Sequence, residues 1–209
     1  MTDLATLSAA IEAGDRVTAA RVTREAVAEG QDPKTILEAM VAAMDVIGAK
    51  FQCNEIFVPE MLISARAMKE ATAVLEPVLA AAGVRPEYTA VIGTIQGDLH
   101  DIGKNLVGMM WRGANIEVVD LGVNVSPDAF VAAVQKHGAS LVGISALLTT
   151  TMVGIKAAVE AIHAAAPGVK VIVGGAPITL EFANQIGADG FAPDAGAAVQ
   201  VARVALGVA

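Results

Sequence analysis

The sequence predicts an α/β protein in which a four-helix bundle, residues 1–84, precedes a doubly wound domain on a parallel five-stranded sheet, residues 88–209. Two observations predict this division. Up to about Gly83, apolar residues recur at the three- and four-residue steps that are typical of helices. After that point, short apolar runs alternate with segments long enough to be helices, which indicates a parallel sheet covered on both faces.

Four amphipathic stretches form the first part of the chain. A break at Gly14 separates the first from the second, a third begins near Pro33, and the fourth starts at Pro59. Proline is favoured in the first turn of a helix. Four such helices joined by short loops predict a small bundle. The glycine- and proline-containing segment 83–87 ends the helical pattern and is the expected linker.

Five β-rich runs after the linker are the predicted strands. Ser126 as cap, with Pro127 and Asp128 in the first turn, marks the helix between the second and third strands. Five strand–helix units suggest a flavodoxin-like, Rossmann-type order, in which ligands bind at the carboxyl ends of the first and third strands. We therefore expect a site at loops 96–103 and 146–151. The predicted strands are residues 89–95, 116–121, 139–145, 169–173 and 190–191.

Composition narrows the function classes. A chain of 209 residues can bury a sufficient core without disulfides, and its single cysteine, Cys53, suits a reducing compartment. We expect Cys53 to be a packed thiol and the protein to be cytoplasmic, with no secretion leader. No apolar run approaches the roughly 20 residues of a membrane span. A net charge of −8 with 14 basic residues argues against a nucleic-acid partner.

The loop after the first predicted strand places a histidine beside carboxylates. His100 could hold a metal through one ring nitrogen while Asp98 accepts a hydrogen bond from the other. Gly97 and Gly103 would let the backbone approach a flat, bulky ligand. Alternatively, Asp98 and Asp101 only cap a helix that begins near Gly103, with His100 exposed. The loop by itself leaves both interpretations open.

Two downstream elements favour the ligand site. The tripeptide 145–147, S-x-L, ends the third strand, and Gly174 with Gly175 ends the fourth. Together with D-x-H-x-x-G at 98–103, and at these spacings, the chain resembles the cobalamin-binding domains of methyltransferases and mutases. Three spaced elements are more specific than any one of them.

The resemblance extends to nearly the whole chain. Residues 97–105 together with 145–152 are similar to the corrinoid proteins of methyltransferase systems rather than to mutases. Residues 57–61 and 64–68 are similar to the helical cap that these proteins and methionine synthase place over the upper corrin face.

This resemblance implies a site residue by residue. His100 would be the lower axial ligand to cobalt in place of the nucleotide base of the cofactor, and Asp98 would hydrogen-bond to it. The hydroxyl of Thr151 would continue the relay, with Thr149 and Thr150 as alternatives. Phe57 and Met61 would shield the upper face, although the same residues could equally be bundle core. The other implied cofactor-binding residues are Gly97, Leu99, Asp101, Ile102 and Gly103 in the loop, Ser145, Leu147, Gly174 and Gly175 along the cofactor tail, and Thr149.

The function implied by the resemblance is that of a methyl carrier. Cobalamin, alternating between Co(I) and methyl-Co(III), would take a methyl group from a substrate-specific methyltransferase. A second methyltransferase would pass it to an acceptor such as tetrahydrofolate or a thiol, and a corrinoid-reactivating protein would be a third partner. The chain would not be an enzyme by itself.

Other readings stay open at this point. A cobalamin-binding mutase subunit and a cobalamin sensor are the alternative functions. The methyl donor, whether methanol, a methylamine, a betaine or an aryl methyl ether, is not indicated. We further expect Trp111 to pack its helix against the sheet, His163 to lie at the surface or in the core, and Lys104 to pair with Asp101 or face the corrin side chains.

Overall fold

A computed structural model describes residues 2–208 and shows two compact units. The first unit ends at Pro86 and also includes the turn Gly113–Asn115. The second comprises Glu87–Arg112 and the chain from Ile116 onward. Among the helices of residues 2–208, none is long and apolar enough to cross a membrane.

The first unit contains the four helices that the sequence predicts. Three of them begin with an aspartate that accepts a hydrogen bond from a first-turn amide: Asp3, Asp15 and Asp32. Such caps satisfy amides that have no partner within the helix. The second helix packs against the fourth, and the first packs against the third. The helices are α1 Leu4–Glu12, α2 Arg16–Ala28, α3 Pro33–Gln52 and α4 Val58–Ala81.

Cys53 does not pack in the core of this unit. It follows the last residue of α3 as the C-cap, and its side chain is exposed. The expectation of a packed thiol is wrong because the apolar face of α3 ends before this residue. The buried side chains of α3 instead follow the helical period as Ile36, Met40, Met44 and Ile47.

The second unit is the predicted doubly wound domain. The strands of its sheet are parallel throughout and lie side by side in the order second, first, third, fourth and fifth along the chain. Ser126 caps the helix between the second and third strands as predicted, by accepting the Ala129 amide at 3.2 Å. The strands are β1 Tyr88–Thr94, β2 Ile116–Asp120, β3 Leu141–Ser145, β4 Lys170–Gly174 and β5 Gly190–Ala192; the helices are α5 Ile102–Gly113, α6 Pro127–His137, α7 Met152–Ala165, α8 Leu180–Gln185 and α9 Ala195–Leu206.

Strand register aligns the two loops in which the sequence predicts a site. Thr94, the last residue of β1, is paired with Ser145, the last residue of β3. Ser145 is in turn paired with Gly174, the last residue of β4. Because parallel strands end at the same edge, the loops after β1, β3 and β4 leave the sheet side by side.

Trp111 packs α5 against the sheet, as expected. Its side chain is fully buried, and its indole N–H donates to the Ala198 carbonyl at 3.0 Å. A Cβ atom at Gly143 of β3 would lie 2.7 Å from the indole ring. The central strand therefore needs glycine at this position so that the ring can lie close to the backbone.

A cluster of charged side chains lies at the amino end of the sheet, opposite the edge at which the site is predicted. The Asp189 carboxylate accepts the Val171 amide at 2.9 Å, pairs with the Lys170 ammonium at 3.0 Å and contacts Nε2 of His163 at 2.9 Å. The His163 side chain, expected at the surface or in the core, is 32% exposed, and its ring is held by a carboxylate. Burial would raise the pKa of Asp189, but these hydrogen bonds outweigh it and hold the pKa below its ordinary value.

Replacing Asp189 should therefore have a pH-dependent cost. We expect Asp189→Asn to lower the free energy of unfolding by about 1–2 kcal/mol at pH 7, since it removes charged hydrogen bonds. A carboxylate whose folded pKa is lowered stabilises the fold above the unfolded pKa of about 3.9, and this stability is lost as the pH falls through the lower folded value. Urea unfolding of both proteins from pH 7 down to pH 3 measures this. A difference that stays constant over that range would contradict it.

Candidate functional site

The histidine loop, residues 97–103, connects β1 to α5 and contains a fully buried carboxylate. The Asp98 side chain has no exposed surface. Its Oδ1 accepts the His100 amide at 3.0 Å and contacts the His100 ring nitrogen Nδ1 at 2.7 Å. Its Oδ2 accepts the amides of Leu147 at 2.7 Å and Leu148 at 3.0 Å. The carboxylate therefore joins the histidine loop to the loop after β3.

These donors keep Asp98 ionised. Burial would raise the pKa of its carboxyl group, but the amides of His100, Leu147 and Leu148 and the His100 ring outweigh this effect. The pKa of Asp98 consequently lies well below its ordinary value. A buried charge is tolerated here because both carboxylate oxygens accept hydrogen bonds.

The ionised carboxylate fixes the proton on the His100 ring. A carboxylate only accepts hydrogen bonds, so in the neutral ring Nδ1 carries the proton and Nε2 carries the lone pair. The imidazole is about half exposed, at 53%, and Nε2 has no hydrogen-bond partner within residues 2–208. Nε2 is therefore oriented and chemically able to ligate a metal, in the arrangement of a ligating histidine backed by a carboxylate.

The helix-cap interpretation is wrong for Asp98. Its oxygens accept from His100 and from the loop after β3, not from the first turn of α5. Asp101 does act at the helix start, where its backbone carbonyl accepts the Asn105 amide at 2.8 Å. Its carboxylate accepts the side-chain amide of Asn105 at 3.0 Å. The two aspartates thus have different surroundings.

One of the three candidate threonines contacts the buried carboxylate. The Thr151 hydroxyl lies 3.2 Å from Asp98 Oδ2 and 2.8 Å from the Leu148 carbonyl, and its single proton can go to either. Thr149 and Thr150 are exposed and make no hydrogen bond to Asp98 in the described structure. Of the three threonines that the sequence left as alternatives, Thr151 is therefore the one whose hydroxyl contacts Asp98.

A second hydroxyl pair supports the backbone of His100. The buried Thr94 hydroxyl donates to the His100 carbonyl at 2.9 Å, and the Ser145 hydroxyl lies 3.0 Å from the same Thr94 oxygen. Sequence reasoning missed Thr94, because a threonine at the end of an apolar strand reads as an ordinary β-branched residue. The register of β1 and β3 creates this contact.

Large apolar side chains are exposed on the two loops that hold Asp98. In the histidine loop, Leu99 is 70% and Ile102 is 75% exposed. In the loop after β3, Leu147 is 44% and Leu148 is 40% exposed. Adjacent exposed apolar groups beside a few oriented polar ones are typical of a ligand site. This surface fits a broad, largely apolar ligand lying over the His100 ring.

The glycines of the site are explained in two different ways. At Gly175 (φ +128°), a Cβ atom would lie 1.9 Å from the Ala146 carbonyl oxygen, and at Gly174 it would lie 2.8 Å from that of Ala192. Close backbone packing alone therefore requires both, whether or not a cofactor tail passes them. Gly103 differs, because a Cβ atom there would meet nothing within 4 Å although the residue lies in the first turn of α5. Glycine lowers the stability of a helix, and packing within the protein does not require it at this position. A ligand that approaches the backbone closely would explain it.

The two proposed cap residues have opposite surroundings in the first unit. Phe57, just before α4, is 63% exposed, and its amide donates to the Glu60 carboxylate at 3.1 Å. Met61 is only 1% exposed. Its burial favours the packing interpretation of Met61 over a role in contacting ligand.

Lys104 takes a partner that the sequence did not indicate. Its ammonium pairs with both oxygens of Asp120 at 2.7 Å, and its side chain is 1% exposed. It therefore neither pairs with Asp101 nor faces a ligand, and both expectations are wrong. No group of three or more His, Cys, Asp and Glu residues within residues 2–208 could hold a metal ion, so His100 would act as a lone protein ligand.

Comparison with known proteins identifies the family of the chain. Two family models, each described as a B12 binding domain, match residues 4–76 and 88–202. A corrinoid protein of Desulfitobacterium hafniense is 40% identical over 207 residues, 96% of either chain. The trimethylamine corrinoid protein of Methanosarcina barkeri is 39% identical over 195 residues, 91% of this chain and 90% of its own.

Solved structures give the same result. The methanol:cobalamin methyltransferase complex of Methanosarcina barkeri contains a chain with a TM-score of 0.86 and 27% identity, covering 99% of this chain and 80% of that one. A cobalamin-binding protein of Desulfitobacterium hafniense has a TM-score of 0.83 and 26% identity, covering 98% and 99%. Fold and site together define a cobalamin-binding protein in which a helical part precedes a Rossmann-like part. Within that class, the chain belongs to the corrinoid proteins of methyltransferase systems.

The buried position of Asp98 predicts a large effect of a small change. We expect Asp98→Asn to lower the free energy of unfolding by about 2–3 kcal/mol without any ligand present, because an amide group cannot accept from every donor that surrounds it. Asp101→Asn, in the same loop but partly exposed, should cost less than about 1 kcal/mol. Urea unfolding of the two variants measures both. Equal losses would contradict the central place of Asp98 in the loop.

Proposed function

We propose that this chain is a corrinoid methyl carrier that binds cobalamin with His100 as the lower axial ligand to cobalt. The observation that carries the proposal is the buried, ionised Asp98, which holds the exposed His100 ring through Nδ1 and leaves the lone pair of Nε2 available. When bound, the cofactor supplies a cobalt ion that accepts a methyl group from one partner and releases it to another. The chain would supply ligation, shielding and presentation, and would not be an enzyme by itself.

In this proposal Asp98 and Thr151 tune the ligand. Asp98 holds one ring orientation and raises the basicity of His100. When Nε2 is not engaged with a metal, it can take up a proton, and Asp98 then stabilises the imidazolium by a charge-assisted hydrogen bond. The Thr151 hydroxyl, 3.2 Å from Asp98, completes the relay. Proton uptake at His100 would thereby be coupled to loss of ligation.

The remaining residues would form the surroundings of the cofactor. The exposed side chains of Leu99, Ile102 and Leu147 would pack against the apolar surface of the cofactor. Phe57 would shield the upper face of the cofactor, a role that rests on the family resemblance alone. Polar and backbone contacts would come from Gly97, Asp101 and Gly103 in the histidine loop and from Thr149 in the loop after β3. The tail of the cofactor would lie against Ser145, Leu147, Gly174 and Gly175.

The partners would be two methyltransferases and a reactivating protein. Relatives are named as trimethylamine and dimethylamine corrinoid proteins, and a structural neighbour is a methanol:cobalamin methyltransferase complex. We propose that a substrate-specific methyltransferase loads this chain and that a second methyltransferase passes the methyl group to an acceptor such as tetrahydrofolate or a thiol. These names span several methyl donors, so the donor enzyme would select the substrate.

Spectroscopy of the reconstituted protein tests the axial ligand. We expect methylcobalamin bound to the wild-type chain to show the absorbance spectrum of a histidine-ligated species with the nucleotide base displaced. His100→Ala should lose this spectrum. His163→Ala, whose ring is held by Asp189 at the other end of the sheet, should keep it. A wild-type spectrum without histidine ligation, or one unchanged in His100→Ala, would refute the proposal.

Gly103→Ala tests whether a ligand accounts for this glycine. Without cobalamin, the variant should be more stable by about 0.5–1 kcal/mol, because the added Cβ atom meets open space in a helix. With cobalamin, we expect roughly tenfold weaker binding from overpacking against the ligand. Gly168→Ala, in open space in the turn before β4, should bind normally. Titration with cobalamin measures the affinity of each variant. If Gly103→Ala binds as tightly as the wild type, close approach of a ligand does not explain this glycine.

A further inference from the structure

The segment that ends β2 and enters the following loop, residues 120–124, holds the histidine loop at both of its ends. Just after the carboxyl end of the histidine loop, Asp120 pairs with Lys104 in the first turn of α5. At the amino end, Asn124 contacts Gly97 and Asp98. None of these contacts involves the loop after β3, which holds the Asp98 carboxylate. Two independent neighbours thus constrain the same loop.

The Lys104 contact is an ion pair between a buried ammonium and a partly exposed carboxylate. Its ammonium lies 2.7 Å from both oxygens of Asp120 and 2.7 Å from the Asn105 side-chain oxygen. Asp120 also accepts the Gly122 amide at 2.8 Å, and the Asn105 amide group continues to Asp101. A buried ammonium is expensive to desolvate, and apolar side chains at such places are often as stable. The pair therefore contributes position more than stability: it ties the first turn of α5 to the end of β2.

The Asn124 contact fixes the other end through side chain and backbone together. Its side-chain oxygen accepts the Gly97 amide at 2.8 Å, and its own amide donates to the Asp98 carbonyl at 3.1 Å. Asn124 has a left-handed backbone, with φ of 57°. Asparagine tolerates this conformation better than most residues. The left-handed turn brings the side-chain oxygen of Asn124 to Gly97 and its backbone amide to Asp98. These two residues directly precede Leu99 and His100.

We propose that the Asp120–Lys104 pair and Asn124 are positioning residues for His100, which set how well its Nε2 atom is presented to cobalt. This inference rests on the proposed function of His100. The loop after β3 fixes the carboxylate that orients the ring, whereas residues 120–124 fix the backbone that carries the ring. Loss of either positioning contact should loosen the loop locally and reduce the fraction of cobalt that is ligated by histidine.

The chain offers a matched control for each positioning residue. Lys104→Met removes the ammonium from Asp120, and Lys170→Met removes one from Asp189 at the other end of the sheet. Asn124→Gly keeps the left-handed backbone and removes the acceptor of the Gly97 amide. Asn115→Gly makes the same change at a left-handed residue (φ 61°) that precedes β2.

Hydrogen exchange in the protein without cofactor is the first readout. In Lys104→Met and Asn124→Gly, we expect the amides of Gly97, His100 and Asn105 to exchange roughly 2- to 10-fold faster, as expected for loss of about one hydrogen bond. Amides of β1 and β3 should keep their rates, and both controls should match the wild type. Equal exchange of the loop in variants and controls would overturn the inference, and so would uniform acceleration throughout the sheet.

The absorbance of bound methylcobalamin is the second readout. The two variants should show a smaller histidine-ligated fraction than their controls. If the wild-type chain shows that species and the variants match their controls, the positioning role is refuted while the proposed function stands. If the wild-type chain itself lacks the species, the proposed role of His100 fails, and hydrogen exchange alone then decides whether residues 120–124 position the loop.

Discussion

The site depends on one buried negative charge. Asp98 has no exposed side-chain surface, and a carboxylate in such surroundings is stable only when donors fill its oxygens. Here the donors come from the histidine loop and from the loop after β3, so the charge can be satisfied only when both loops are in place. The same ionised group assigns the His100 proton to Nδ1. Folding of the loops and the chemistry of the ring are thereby set by a single residue.

The parallel sheet makes this interaction possible. Residues of the two loops that meet at Asp98 are about fifty positions apart along the chain, as for Asp98 and Leu147. The order β2-β1-β3 places the ends of β1 and β3 next to each other, and the Thr94–Ser145 register aligns them. On the other side of β1, the end of β2 brings Asp120 and Asn124 to the same loop. The histidine loop therefore lies between two neighbours that the topology supplies.

Sequence patterns predicted the elements well and their side-chain contacts poorly. Apolar periodicity identifies the helices of the first unit, and the alternation of strands with helices indicates the order of the sheet. The positions of His100, Ser145 and Gly174 after predicted strands indicate the carboxyl edge, because that signal follows from the strand order. The partner of Lys104, the contacts of Asn124 and the choice of Thr151 depend on strand register and on loop conformation, which no short pattern encodes. Gly175 illustrates the same limit, since its need for glycine comes from the Ala146 carbonyl oxygen, a backbone atom of a distant loop.

We propose that Nε2 of His100 is the nitrogen that ligates cobalt. Electron paramagnetic resonance of the cobalamin-loaded protein, reduced to Co(II), detects an axial nitrogen directly, because the unpaired electron couples to that nucleus. With unlabelled cobalamin and protein grown on ¹⁵N-histidine, we expect the triplet splitting given by ¹⁴N to become the doublet given by ¹⁵N. A triplet that persists in the labelled protein would show that the nucleotide base of the cofactor is still the ligand, and would contradict the claim.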